Sequence, residues 1–152
     1  RGGAEVKRRS KTNSRRHENL ALREYYRQKN VWNELKDRIP GIYGTSFAEE
    51  IHHIAKGSGG TSRWDVVTNL ISLSRESHAW CERYKWDGMI LCLAVKLNKS
   101  EYDPVVFRET VLGLTRPGAS VAGYLMRKPC EFPWVEPIKK KVCEQIERME
   151  QL

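Results

Sequence analysis

Three of the four histidines lie close together in the chain, in a segment that also contains Asn69. His52 and His53 are adjacent, and His78 closes a window of 27 residues. An imidazole can bind a divalent cation, or it can take a proton near neutral pH because its ordinary pKa is about 6.5. Successive side chains on a strand point to opposite faces, so His52 and His53 are expected to take different partners. The pattern predicts one histidine that binds a metal and one that acts as a base.

Hydrolysis of a phosphodiester needs both functions, a base to deprotonate water and a cation to neutralise charge on the phosphate. His78 falls on a predicted helix, and Glu82 lies one turn further along the same face. Two or three protein ligands leave positions open for water and phosphate, as a catalytic metal requires. Each of these residues also has a structural interpretation: the histidines as ordinary strand or helix residues, Asn69 as a turn residue, and Glu82 as an ion-pair partner of a nearby basic side chain.

Two short strands and a helix are predicted around these residues. The first strand covers residues 47–54, and residues 56–62 have the composition of a loop. The second strand covers residues 69–74, where apolar and small polar residues alternate. A helix then begins at Arg75 with Ser74 as its cap and runs to Tyr84. The local order is strand, glycine-rich loop, strand, helix.

Helices are predicted on both sides of this segment. They cover residues 16–38 (as one or two amphipathic helices ending before Pro40), 88–97, 103–114, 119–127 and 136–152. Asp103 is expected to cap the third of these, with Pro104 at its first position, and Trp134 is expected to pack inward. The predicted fold class is mainly α with a small antiparallel β-hairpin.

The motif carried by these residues resembles that of a known nuclease family. Glu50-Ile51-His52-His53, Gly59-Gly60, Asn69-Leu70 and His78 together are similar to the motif of the HNH, or ββα-metal, endonucleases, which include the nuclease domains of DNase colicins. The resemblance covers about residues 47–84. It implies a ββα-metal motif embedded in a helical scaffold, and hydrolysis of DNA to 5′-phosphate and 3′-hydroxyl ends.

The resemblance also implies roles for individual residues. His53 would be the general base, and His52 and His78 would bind one divalent cation, with Glu82 as a further candidate ligand. Asn69 would hydrogen-bond across the loop to position the base. Imidazole ligands favour Mn²⁺, Ni²⁺ or Zn²⁺, but Mg²⁺ or Mn²⁺ is the preferred expectation because both are available in cells.

The chain departs from the family pattern at two points. Many relatives bind a structural zinc through cysteine pairs, whereas Cys81 and Cys92 have no such spacing, so no structural zinc is expected. Some relatives also have a histidine where this chain has Glu82. Glu50 could brace His53 or a neighbouring arginine, or lie exposed on its strand. Three arginines near the motif are candidates to clamp phosphate, or are simply solvated: Arg63, Arg75 and Arg83.

Net charge points to a nucleic-acid partner, with DNA as the expected one. The chain carries 27 lysines and arginines against 19 acidic residues, and residues 1–16 alone hold seven basic side chains and one acid. That segment is predicted to be a basic flexible arm that contacts the phosphate backbone, or else a solvated terminus. Residues 17–152 are predicted to form a single nuclease domain, with a helical extension over residues 88–152.

The remaining expectations concern location and class. The cysteine spacings suggest reduced thiols, and no apolar run approaches the roughly 18 residues of a membrane span, so the expected location is intracellular, cytoplasmic or nucleoid-associated, without a membrane partner. An initial Arg in place of Met suggests a fragment or a processed chain.

Two alternatives to a stand-alone nuclease remain open. One is a catalytically inactive DNA-binding ββα module, and the other is the nuclease domain of a larger toxin or effector with an immunity partner.

Overall fold

Most of the chain is helical, and one two-stranded antiparallel sheet lies among the helices. The computed structural model describes residues 17–43, 47–57 and 61–151. Its elements are α1 (residues 17–29), β1 (Glu50–His53), α2 (Thr61–Trp64), β2 (Leu70–Leu73), α3 (Arg75–Arg83), α4 (Lys85–Asn98), α5 (Val121–Met126) and α6 (Glu136–Glu150). The predicted fold class, mainly α with a small hairpin, is confirmed. The predicted basic arm of residues 1–16 and the Gly59-Gly60 pair lie outside the described residues.

The sheet places the two adjacent histidines at the end of β1. His52 pairs with Ile71 and His53 with Leu70 in an antiparallel register. Beyond the last strand pair, the Ile54 backbone N–H donates to the Asn69 carbonyl at 2.9 Å. All four residues of β2 are buried, including Ser72. A strand that is buried on both faces carries apolar side chains on both, which is why β2 is a short and mostly apolar run. The strand carrying the histidines is therefore backed by buried structure.

A cap fixes the start of α3 and so the position of His78. The Ser74 hydroxyl accepts a hydrogen bond from the Ser77 backbone N–H at 3.2 Å, as the sequence predicted. The Asn33 amide donates to both serine hydroxyls, at 3.2 and 2.9 Å. At the other end, α3 meets α4 at Tyr84, and a Cβ on Gly88 would lie 2.9 Å from the Cys81 Cα. A residue without a side chain is needed where these two helices approach so closely.

The predicted helix over residues 16–38 is wrong in its second half. Helix α1 ends at residue 29, and residues 30–38 form an extended segment followed by turns. Here the backbone has partners elsewhere: Trp32 forms a β-bridge with Phe47, and the Glu34 N–H donates to the Ser72 carbonyl at 2.9 Å. Asp37 has a positive φ of 62°, which a right-handed helix does not allow. Tertiary pairing thus overrides an amphipathic sequence pattern.

The later helices follow the predictions with shifted bounds. Helix α4 begins at Lys85 instead of Gly88, and the segment after Pro104 is a π-helix over Val106–Val111. Asp103 caps the short helical stretch over residues 104–105 that leads into it, as predicted, because its carboxylate accepts from the Val105 and Val106 N–H groups at 3.1 and 3.0 Å. Short 3₁₀ turns at Val67–Asn69 and Pro133–Val135 were not predicted. Trp134 is half-buried against the core.

Helix α4 runs through the middle of the core and carries a buried cation. Lys96 has no exposed surface; its ammonium donates to the Tyr26 hydroxyl at 2.8 Å and to the Glu101 carboxylate at 3.2 Å. The Tyr26 hydroxyl donates to Glu34, whose same oxygen accepts from the Ser72 N–H, both at 2.7 Å. Burial lowers the pKa of Lys96, and the carboxylates of Glu101 and Glu34 oppose that shift. This network contacts β2 through the hydrogen bond from Ser72 to Glu34.

Among the described residues, no helix is long and apolar enough to span a bilayer.

Candidate active site

Three predicted metal ligands converge at one end of the sheet. The Glu82 Oε1 atom lies 3.6 Å from His52 Nδ1 and 3.2 Å from His78 Nε2, and one donor atom from each residue falls within 4.8 Å of the other two. Two ligand atoms held by one ion at about 2.1 Å are themselves about 3.0–3.4 Å apart. The distance from Glu82 to His78 falls in this range and the distance to His52 is slightly longer, so a small closing movement of the side chains would form a site for a single cation, with β1 supplying one ligand and α3 the other two.

His52 is in the protonation state that a metal ligand needs. Its side chain is 8% exposed, and its Nδ1 atom has no hydrogen-bond partner among the described residues. Burial, and then the charge of His78, lower the pKa of His52 from 6.5 to about 4. The ring is therefore neutral at physiological pH, with an unpartnered nitrogen beside a carboxylate oxygen. A buried polar atom of this kind is costly unless something binds it, which is the observation that a bound cation would explain.

Carboxylates complete the electrostatics of the candidate centre. Burial would raise the pKa of Glu82, but the charge of Lys56, the two neighbouring imidazoles and the hydrogen bond with His78 outweigh it, so the pKa is lowered. Glu50 lies against His78, with 3.1 Å between Oε1 and the ring Nδ1. The structure thus places Glu50 beside His78, not beside His53 or an arginine. A carboxylate on the far nitrogen of a ligating histidine fixes the ring and leaves Nε2 for the metal.

His53 has a separate set of partners, as strand alternation predicted. Its Nε2 atom is 2.6 Å from the Asp65 Oδ1 atom, and the Asp65 side chain is completely buried. The other Asp65 oxygen lies 3.3 Å from the Arg23 Nε atom on α1. The indole of Trp64 meets the His53 ring edge-on at 5.8 Å between centroids. His53 is therefore held in place without contributing to the metal-ligand group.

Asn69 ties together two parts of the chain segment that joins β1 to β2. Its amide donates to the Ala55 carbonyl at 2.9 Å and to the Trp64 carbonyl at 3.0 Å, and its Oδ1 accepts from the Ala55 N–H at 2.9 Å. No contact with His53 is among its hydrogen bonds in the described part of the chain. The predicted bond across the loop is present, and it acts on the backbone that flanks His53 and Asp65.

A cavity of about 160 Å³ opens at these residues and is lined by His52, His53, Ile54, Lys56, Cys81, Glu82 and Lys85. Two lysines, rather than arginines, therefore line it. The three arginines predicted to clamp phosphate are exposed and do not line the cavity. Arg75 pairs with Glu49 at 3.4 Å, Arg83 lies over the Tyr84 ring, and Arg63 lies in the last turn of α2. Larger cavities exist, but histidine lines none of those described.

A second donor set shares His52 on its buried side. His52, Cys81 and Cys92 each offer an atom within 4.8 Å of the others, and all three residues are buried. Burial raises the pKa of Cys92 well above its ordinary value, and the hydrogen bond with Cys81 adds to the shift. Thiol and imidazole donors suit soft cations. This set lies on the enclosed side of the site, whereas Glu82 is half exposed, so the open set is the one that substrate can reach.

No family model, curated protein or solved structure matches this chain. Functional interpretation therefore depends on the side-chain geometry together with the motif resemblance.

Sequence reasoning missed several residues of the site. Asp65, Arg23, Lys56 and Lys85 were not singled out, although each contacts or lines it. One signal for Asp65 was available: it is a lone carboxylate between Trp64 and two valines, and a carboxylate in apolar sequence that is buried on folding needs a cationic or hydrogen-bonding partner. Nothing in the sequence placed Arg23 beside it, because that contact joins segments more than 40 residues apart.

Proposed function

We propose that this protein is a metal-dependent endonuclease that hydrolyses phosphodiester bonds of DNA, with the β1, β2 and α3 segment acting as a ββα-metal motif. One observation carries the proposal: two of the three candidate cation ligands, His52 and Glu82, line the same small cavity as the separately held His53, and His78 completes the ligand set beside them. A site that only binds a structural metal needs ligands but no additional base. The division between His52 and His53 is what metal-assisted hydrolysis requires.

His52, His78 and Glu82 are the residues that would hold the cation. When bound there, a divalent cation supplies positive charge that neutralises the phosphate and the leaving oxygen. Mg²⁺ or Mn²⁺ is the expected ion because both are available in cells; the two imidazoles favour Mn²⁺ of the pair, and the carboxylate and open positions for water suit either ion. Glu50 orients the His78 ring from its far side.

His53 acts as the general base. Its imidazole takes a proton from the attacking water, the water oxygen forms a bond to phosphorus, and the bond from phosphorus to the 3′ oxygen breaks. The leaving oxygen takes a proton from solvent, so the products are 5′-phosphate and 3′-hydroxyl ends. Lys56 and Lys85 line the cavity and attract the phosphate backbone, as point charges, into reach of His53.

Cleavage of supercoiled plasmid tests the proposal. Wild-type protein, His53→Ala and the control His17→Ala, which changes an exposed residue of α1, are compared with Mg²⁺, Mn²⁺, Zn²⁺ or a chelator. Metal-dependent nicking is expected for the wild type and the control, and a loss of about 10²- to 10⁴-fold for His53→Ala. Circular dichroism confirms that each variant is folded. DNA binding without cleavage under every metal would replace the proposal with a DNA-binding module that lacks activity.

A further inference from the structure

We propose that Asp65 is the positioning residue for His53, and that Asn69 and Arg23 act on the base through Asp65. This inference rests on the proposed function, because it assigns a role within the same site. Through Asp65, Asn69 can influence the position of His53 without a direct contact between the two side chains. Asp65 also selects which nitrogen of His53 takes the proton.

The contact between Asp65 and His53 is short and shielded from water. The 2.6 Å between Oδ1 and Nε2 is at the lower limit for a hydrogen bond that involves a charged group, and the carboxylate has no exposed surface. A carboxylate in such surroundings accepts hydrogen bonds and does not donate them. We therefore assign the proton in this contact to Nε2 of His53, which leaves Nδ1 as the nitrogen that accepts a proton from water.

Arg23 balances the charge of Asp65. Its Nε atom is 3.3 Å from Oδ2, so the two carboxylate oxygens face two different partners. An ionised carboxylate with no exposed surface is costly unless a cation or strong donors surround it. The guanidinium of Arg23 on α1 thus lies against the oxygen that His53 does not use, and Oδ1 is left as the acceptor for a proton on Nε2.

Asn69 fixes the backbone on both sides of this pair. Its amide donates to the Trp64 carbonyl, which belongs to the peptide bond that precedes Asp65, and to the Ala55 carbonyl two residues after His53. One side chain therefore sets the separation of the two backbone segments that carry the base and its partner. A buried amide with three backbone hydrogen bonds holds this separation rigidly, since each bond that broke would leave a buried group unpaired.

The test measures the tautomer of His53 directly. Long-range ¹H–¹⁵N correlation spectra of labelled wild-type protein, with the His53 signals assigned by comparison with His53→Gln, report which ring nitrogen carries the proton. The expected result is protonated Nε2 and unprotonated Nδ1. Protonated Nδ1 in the wild type would overturn the inference, and this measurement needs neither activity nor a variant at Asp65.

Kinetics then separate positioning from structure. Asp65→Asn replaces a pure acceptor by an amide that can either donate or accept, so His53 is expected to show a mixture of tautomers. We expect kcat to fall about 10- to 100-fold, in line with loss of a residue that orients a functional imidazole, with KM and Mn²⁺ affinity unchanged. The control Asp37→Asn changes an exposed carboxylate at a positive φ that asparagine tolerates.

The outcomes distinguish this inference from the proposed function. An Asp65→Asn variant with wild-type kcat and wild-type tautomer would refute positioning while leaving the nuclease intact. A wild-type protein that cleaves nothing under any metal would refute the nuclease, whereas the tautomer would still decide whether Asp65 sets the state of His53. Should Asp65→Asn fail to fold, the wild-type spectrum alone decides.

Discussion

Protonation of His52 on unfolding is expected to make the metal-free protein lose stability in mild acid. In the folded chain burial lowers the pKa of His52 to about 4, from an ordinary value of 6.5. Between these two values the unfolded chain binds a proton that the folded chain does not, so the free energy of unfolding falls as the pH falls. From pH 7.5 to pH 5 the loss attributable to His52 is about 2 kcal/mol, or roughly 4–8 °C in Tm for a chain of this size.

Urea unfolding at pH 7.5 and pH 5.0, with chelator present, measures this loss. The His52→Gln variant has no imidazole at this position, so its loss over the same interval is expected to be about 2 kcal/mol smaller than that of the wild type. Titrating groups that do not interact with His52 contribute equally to both chains and cancel in the difference, whereas His78 and Glu82 interact with it. His17→Gln, at an exposed position, is the control and is expected to follow the wild type. Equal losses in wild type and His52→Gln would refute the argument that His52 is held neutral by burial.

Three further predictions concern the rest of the site. Asn69→Ala is expected to lower the free energy of unfolding by about 2–4 kcal/mol, because three buried backbone hydrogen bonds are lost; urea unfolding that shifts by under about 0.5 kcal/mol would contradict this. Glu50→Gln is expected to weaken Mn²⁺ binding about 10-fold by calorimetry, while the neighbouring Glu49→Gln leaves it unchanged; equal affinities for both variants would argue against bracing of the metal ligand. Lys56→Ala is expected to reduce the slope of log affinity for duplex DNA against log salt by about 0.9, measured with chelator; an unchanged slope would exclude a phosphate contact.

The local order of strand, loop, strand and helix could be predicted from the sequence, because that order depends on signals between residues close together in the chain. Ser74 is a cap with its partner three residues away, and strand alternation separates His52 from His53; both hold in the structure. The donor set of His52, His78 and Glu82 was also identifiable, since the first strand of the hairpin and the helix that follows the second strand bring these residues together.

The contacts that tie distant segments together could not be predicted in the same way. The second half of the helix predicted over residues 16–38 is absent because Trp32 and Glu34 pair with other segments, and such pairing leaves no periodic trace in the sequence. The Arg23–Asp65 contact is of the same kind. The arginines near the motif were predicted to bind phosphate because they are close to it in sequence. The basic side chains that line the cavity are instead Lys56 and Lys85.

Chemical rescue of a His53→Gly variant tests the central claim most directly. Single-turnover cleavage of end-labelled duplex DNA is measured with saturating Mn²⁺, whose binding to wild type and variant is first matched by calorimetry. If His53 is the base, the rate is expected to fall about 10²- to 10⁴-fold and to rise again with added imidazole in proportion to the concentration of the neutral form. A variant that cleaves at the wild-type rate, with imidazole having no effect, would show that His53 is not the base and would contradict the account.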